Sequence, residues 1–244
     1  MIEIDGLTKV YHDRRRGKLR AVNDVSFTSH PGEIFGLIGP NGAGKTTTLR
    51  IIATALRPTS GTARVLGFDT VRQSEEVRRR IGFLSAHTAL YGRLSAREHF
   101  QFFGRLFQMD EKRIGHRTGE LSAEFQMQDF LDRPVEKLST GMKQKVSIAR
   151  SIFHSPDVIV LDEPTTGLDV LTSRTIISFI RRCRKEKRTV LFSSHIMTEV
   201  ELLCDRVAII HEGAIYFIGS LDELRAKHGK NLEDAFISAV GAEP

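Results

Sequence analysis

The stretch Gly39-Pro40-Asn41-Gly42-Ala43-Gly44-Lys45-Thr46 constrains this chain more than any other, because it fulfils the phosphate-loop pattern G-x-x-x-x-G-K-[ST] in full. It follows Ile34-Phe35-Gly36-Leu37-Ile38, an apolar run of strand length, and precedes residues 46–55, whose apolar groups have helical spacing. A strand, a glycine-rich turn and a helix in that order direct backbone N–H groups and the positive end of a helix dipole at one point, where an anion would sit. Lys45 adds a full charge for β- and γ-phosphates, Thr46 a hydroxyl for Mg²⁺, and Thr47 a phosphate donor from the same helical turn.

The rest of the chain alternates in a way that suits an α/β domain. Its 244 residues fit one compact domain with a smaller insertion. Residues 2–4 and 22–27 alternate apolar with polar groups, as edge strands of an antiparallel patch do, and residues 12–18 read as an exposed loop between them. Residues 91–130 carry phenylalanine and leucine at helical intervals, with Phe100, Phe103, Leu106 and Phe107 expected on one apolar face. After Pro134 the pattern gives a helix near 142–153, a strand at 158–161, a helix near 171–183, a strand at 190–192, a β segment at 207–217 and a helix over 221–240. The expectation is an α/β fold: a P-loop NTPase core with a mainly parallel sheet, an antiparallel β patch at the N-terminus and a helical insertion. A single domain over 1–244 would comprise that core at 1–86 and 134–220, the insertion at 87–133 and a C-terminal helical tail at 221–244.

Asp162 ends the apolar run Val158-Ile159-Val160-Leu161, so its carboxylate emerges at a strand's carboxyl end and can serve a Mg²⁺ shell. Glu163 comes next and points elsewhere, which suits a base that polarises a water attacking the γ-phosphate.

Composition closes other routes. Apolar residues make up 40% and charged residues 27% of the chain, ordinary for a domain with a packed core. There is no uninterrupted apolar stretch of about 18 residues, and Met-Ile-Glu-Ile-Asp at the start lacks the features of a secretory signal, so a cytosolic location is expected. Cys183 and Cys204 are too few for a disulfide framework or a cysteine metal site and read as core or near-surface thiols. The net charge is +6, but Arg14-Arg15-Arg16, Arg78-Arg79-Arg80 and Arg181-Arg182 with Arg184-Lys185 are scattered and lack interleaved aromatics. They read as solvated faces and loops, and no nucleic-acid partner is expected.

Further motifs resemble one family. Leu138-Ser139-Thr140-Gly141-Met142 resembles the LSGGQ signature and precedes Asp162-Glu163-Pro164-Thr165. Gly167-Leu168-Asp169 resembles the D-loop, and His195, after Val190-Leu191-Phe192-Ser193-Ser194, resembles the switch histidine. Over essentially its whole length the chain is similar to an ABC-transporter nucleotide-binding subunit. That resemblance implies the ABC ATPase fold and Mg-dependent hydrolysis of ATP, with Glu163 as base and His195 bonding the γ-phosphate and orienting the water. It implies a homodimer or paired cassette, with ATP held between one P loop and the partner's signature loop, here Ser139, Thr140, Gly141 and Met142, and with Asp169 in the D-loop. It places Tyr11 against adenine, and it implies a separate integral membrane permease at the inner face of the cell membrane. The segments Thr88-Ala89-Leu90-Tyr91-Gly92-Arg93-Leu94-Ser95-Ala96-Arg97-Glu98 and Leu232-Glu233-Asp234-Ala235-Phe236 resemble the exporter branch, especially the NatA-type sodium-export ATPases and their drug- and lipid-exporting relatives.

The chain departs from the family pattern at three positions. Thr140 replaces the first glycine of the signature, Met142 replaces its glutamine, and Ala86 stands where the Q-loop usually has glutamine. Alanine offers no side-chain hydrogen bond, so that contact would be absent or supplied by Ser85, His87 or water, and weakened coupling or slower turnover is expected. The alternative is a soluble ABC-type ATPase acting on ribosomes or DNA. That class usually carries two cassettes in one chain or a long coiled-coil insertion, and neither pattern occurs here.

Overall fold

A computed structural model describes residues 1–13, 17–85, 89–229 and 231–241. The chain begins with β1 (Ile2–Asp13) and β2 (Gly17–Ser29), followed by the buried β3 (Ile34–Ile38) and α1 (Lys45–Ile52). Next come β4 (Ser60–Val65), β5 (Phe68–Asp69), α2 (Ser74–Arg80) and β6 (Ile81–Leu84). The helical insertion holds α3 (Ala96–Leu106) and α4 (Glu111–Glu124), and α5 (Thr140–Ser151) returns the chain to β7 (Val158–Asp162). The remainder is α6 (Val170–Lys185), β8 (Thr189–Ser194), α7 (Met197–Leu203), β9 (Arg206–His211), β10 (Ala214–Ser220), α8 (Leu221–His228) and α9 (Leu232–Ala239).

These strands form a four-stranded antiparallel sheet, ordered β2-β1-β4-β5, and a six-stranded sheet, ordered β10-β9-β3-β8-β7-β6. The second is parallel from β9 to β6, with β10 antiparallel at its edge. Its inner strands are buried on both faces, as near-continuous runs of Val, Ile and Leu allow. Alternation assigns the faces: Phe35 and Leu37 of β3 join Ile2, Leu7 and Val25 beneath the antiparallel sheet, while Ile34 joins Phe192 and the insertion on the other side. The P loop therefore leaves β3 between β8 and β9. Ile38 pairs with Ser194, and Asp162 with Ser193, so β3, β7 and β8 end within one residue of a common row.

The structure corrects several expectations. The expected loop at 12–18 begins and ends as ladder, because His12 pairs with Lys18 and Asp13 with Gly17, and its residues 14–16 lie outside the described ones. Polar side chains do not prevent pairing in a solvent-facing ribbon. Leu106 is 64% exposed and does not share the face of buried Phe100. At about 100° per residue it lies roughly 240° round the helix from Phe100, whereas Phe103 and Phe107 return to within about 60°. The expected helix over 221–240 is two helices broken near Gly229, whose φ is 131°, a backbone conformation few side chains tolerate.

The insertion is fixed by aromatic contacts that have a pH consequence. Phe100 stacks on Phe153 at 5.2 Å, and Phe107 stacks on His154 at 3.9 Å. His154 Nε2 lies 3.1 Å from the Ile81 carbonyl and donates to it, while its Nδ1 is buried with no hydrogen-bond partner. Burial pushes the imidazole pKa down to about 4, with Arg117 acting in the same direction. The folded chain thus keeps the ring neutral where an unfolded chain would protonate it. Stability is complete above the unfolded pKa of about 6.5 and is lost as pH falls from there towards 4, by up to roughly 3 kcal/mol. His154→Leu should flatten the fall in urea midpoint between pH 7 and pH 5; equal slopes in parent and variant would remove His154 as its source.

Candidate functional site

The path of the P loop is set by glycines at its two ends. A Cβ at Gly39 would lie 2.1 Å from the Ile210 carbonyl oxygen on β9. One at Gly44 would lie 2.5 Å from the Ala21 carbonyl, and Gly44 also has φ 108°. Only glycine lets the chain pass so close to its neighbours. The loop then folds over a shallow cavity of about 130 Å³ lined by residues 40–47, Ala21 and Glu163. Lys45 is 4% exposed, and its ammonium donates to the carbonyls of Gly39 at 2.6 Å and Pro40 at 3.1 Å. It also lies 3.4 Å from Glu163 Oε1. Larger grooves of about 520 and 610 Å³ lie against α6 and α2, but neither includes a P-loop residue. For a phosphate, converging dipoles matter more than volume.

Asp162 is 1% exposed at the end of β7. Its Oδ1 accepts from Thr46 Oγ1 at 3.1 Å and from Ser193 Oγ at 2.8 Å, while the buried Oδ2 has no partner. A spare carboxylate oxygen beside a threonine hydroxyl suits a hard cation. The described residues contain no group of three or more His, Cys, Asp or Glu able to hold a metal alone. One carboxylate and one hydroxyl could hold a Mg²⁺ ion, which takes phosphate and water for its remaining ligands.

Glu163 adopts φ 49°, an uncommon conformation for a residue with a side chain. Ser193 holds it there: the Glu163 N–H donates to the Ser193 carbonyl at 3.2 Å and to its Oγ at 3.1 Å. The turn carries the carboxylate to His195, whose Nδ1 is 3.2 Å from Glu163 Oε1. Thr166 Oγ1 donates to Oε2 at 3.2 Å. Burial, the largest influence, raises the Glu163 pKa, but the charge of Lys45 and the contacts with His195 together outweigh it and hold the carboxyl below its usual range. Asp162, Glu163, His195, Lys45 and Thr46 are thus brought together.

The signature residues are not. Ser139 caps α5 and accepts from the Met142 N–H at 3.3 Å, and Asp169 caps α6, accepting from Thr172 N–H at 2.9 Å and Thr172 Oγ1 at 2.8 Å. A Cβ at Gly141 would sit 2.9 Å from Thr172 Oγ1, so the two caps pack against each other. Thr140 is exposed and Met142 leans on the insertion core. None of these lines the phosphate cavity. Tyr11 lies within β1 opposite Leu19, 36% exposed, with Lys9 Nζ 5.3 Å over its ring and outside the cavity lining. Ala86 lies outside the described residues.

Three contributors were missed in sequence. Ser193 and Ser194 carry a signal: two hydroxyls at the end of a wholly buried apolar strand. Gln144, whose Nε2 donates to the Pro164 carbonyl at 2.7 Å and ties α5 to the loop of Glu163, carries none on its own.

The sequence pattern of a family described as ABC transporter matches residues 22–166. The chain is 45% identical over 242 residues to the ABC transporter ATP-binding protein NatA of Bacillus subtilis (strain 168), covering 98% of each. It is 37% identical over 231 residues to the daunorubicin/doxorubicin resistance ATP-binding protein DrrA of Streptomyces peucetius, covering 95% of this chain and 68% of that one. Among solved structures, an ATP-binding subunit of an ABC transporter superposes with TM-score 0.89 at 28% identity, over 98% of this chain and 99% of that one. A dimeric bacterial ABC transporter cassette superposes with TM-score 0.82 at 25% identity, over 91% and 99%.

Proposed function

The chain belongs to the ABC transporter family as an ATP-binding subunit of the export type, and on that footing we propose that it hydrolyses Mg-bound ATP to drive export through a separate membrane permease. The observation that carries this reading is the meeting of Lys45, Glu163 and His195 at the mouth of the P loop, beside the unpartnered oxygen of Asp162. The loop N–H groups and Lys45 hold the β- and γ-phosphates, with Thr47 donating from the first turn of α1. Thr46 and Asp162 would hold Mg²⁺, which when bound offsets the charge of the phosphates. Glu163 takes the proton of the attacking water, and His195 holds that water and the γ-phosphate in line. Tyr11 offers its exposed ring to adenine.

The signature loop supports a dimer. Ser139, Thr140, Gly141 and Met142 at the start of α5 offer a hydroxyl and the N–H groups of a helix's first turn, and none of them lines the cavity of their own P loop, so a second copy or paired cassette would complete each site, with Asp169 at the seam. No helix among the described residues is long and apolar enough to cross a membrane. The conducting path is assigned to an integral permease, with this chain docked on its cytoplasmic face and Ala86 in the coupling loop. The cargo is drawn from sodium ions, drugs or lipids; the resistance relative supports an exported drug.

The test is co-purification with the permease and reconstitution in vesicles. ATP hydrolysis and flux should both vanish with EDTA and return with Mg²⁺. Hydrolysis without flux of any sodium, drug or lipid probe would remove the export reading, and hydrolysis unaffected by EDTA would remove the metal.

A further inference from the structure

Glu199 lies in α7, four residues beyond His195, and is 9% exposed. A carboxylate withdrawn from water is costly unless it is hydrogen-bonded, so its partners indicate its use. Its Oε2 accepts from Thr165 Oγ1 at 2.6 Å and, more weakly, from Ser194 Oγ at 3.5 Å. Thr165 follows Glu163 by two residues. Ser194 directly precedes His195, and its Oγ accepts the Ile196 N–H at 3.0 Å, which fixes the turn that carries the histidine. The ladder between β7 and β8 ends at Asp162 and Ser193. Beyond that row the two loops are held by Ser193 on one side and by Glu199 on the other.

We infer that Glu199 is a positioning residue for ATP hydrolysis: through Thr165 and Ser194 it sets the approach of His195 to Glu163, without touching the nucleotide. It does not line the phosphate cavity, and none of the P-loop contacts of Lys45 pass through it. The inference rests on the roles proposed for Glu163 and His195. Its requirement is geometric: the 3.2 Å contact between those side chains joins groups on two different loops, and a shift of about 1 Å at a reacting centre costs up to about a hundredfold in rate.

Glu199→Ala should lower kcat by about ten- to a hundredfold, with KM for ATP within about twofold of the parent, since the P loop is untouched. Glu199→Gln keeps an acceptor oxygen for Thr165 and should stay within about threefold of parental kcat. Thr165→Val should slow turnover as Glu199→Ala does, and the double variant should be no slower than the slower single one, because Thr165 acts through its bond to Glu199. Thr165→Val also carries the test if Glu199→Ala fails to fold. A readout independent of turnover is the NMR resonance of the His195 imidazole at one fixed pH: it should move in Glu199→Ala and Thr165→Val and return in Glu199→Gln. Unchanged kcat per binding site with an unmoved resonance would overturn the inference, as would a rise in KM alone. A parent chain with no ATPase activity would instead overturn the proposed function, and the His195 resonance would then decide this inference by itself.

Discussion

Glu163→Gln is expected to bind ATP as the parent does and to hydrolyse it about 10²- to 10⁴-fold more slowly, the span lost with a general base. The amide has the shape of the carboxylate and keeps an acceptor for Thr166 Oγ1, so the loop should hold. What disappears is the charge that takes the proton. That charge is held as a weak base, because Lys45 lies 3.4 Å away and His195 3.2 Å and together they keep the carboxyl low. When phosphates engage Lys45, much of that restraint passes to the nucleotide, and Glu163 becomes a stronger base with its substrate in place. The amide variant cannot make that change. It should accumulate as an ATP-bound dimer, seen as a doubled mass by light scattering in ATP and not in ADP. Parental turnover in Glu163→Gln would remove it as the base.

Lys45→Ala is the second large effect, and it falls on binding. The ammonium is buried and donates to the Gly39 and Pro40 carbonyls. Truncation leaves those acceptors and the Glu163 carboxylate facing an incoming anion. Removing one partner of a buried charged pair costs about 2–5 kcal/mol, or roughly 30- to several-thousand-fold in Kd. Calorimetric titration with ATP in the presence of Mg²⁺ reads this directly. An affinity within a few-fold of the parent would show that loop N–H groups alone hold the phosphates.

Part of this is legible in the sequence where chemistry and local structure coincide. The P loop declares itself because its glycines, lysine and threonine must sit between a strand and a helix, and Asp162 because it ends a run of buried apolar residues, whereas His195, behind Ser193 and Ser194, is legible by resemblance. The signature residues were legible only by resemblance, since Ser139 and Gly141 do nothing within their own chain's phosphate cavity. The short β4, β5 and α2 went unread, because Ser60–Val65 has little apolar alternation and acts mainly through its pairing with β1. Gln144 and Glu199 are ordinary polar residues until tertiary neighbours give them a partner. Leu106 shows the opposite error: hydrophobicity was legible, but its place on the helix put it in water.

The common row on which β3, β7 and β8 end also acts as a gauge of length. Each residue of strand advances the chain by about 3.3 Å, which exceeds a hydrogen bond. One residue deleted from Val158–Asp162 or Thr189–Ser194 would draw Glu163 or His195 back by that step and turn it to the opposite face. Exchanges among valine, isoleucine and leucine leave the gauge intact. The interior of this sheet is therefore permissive in composition and unforgiving of insertion or deletion, and natural length variation should gather in the connections away from that row.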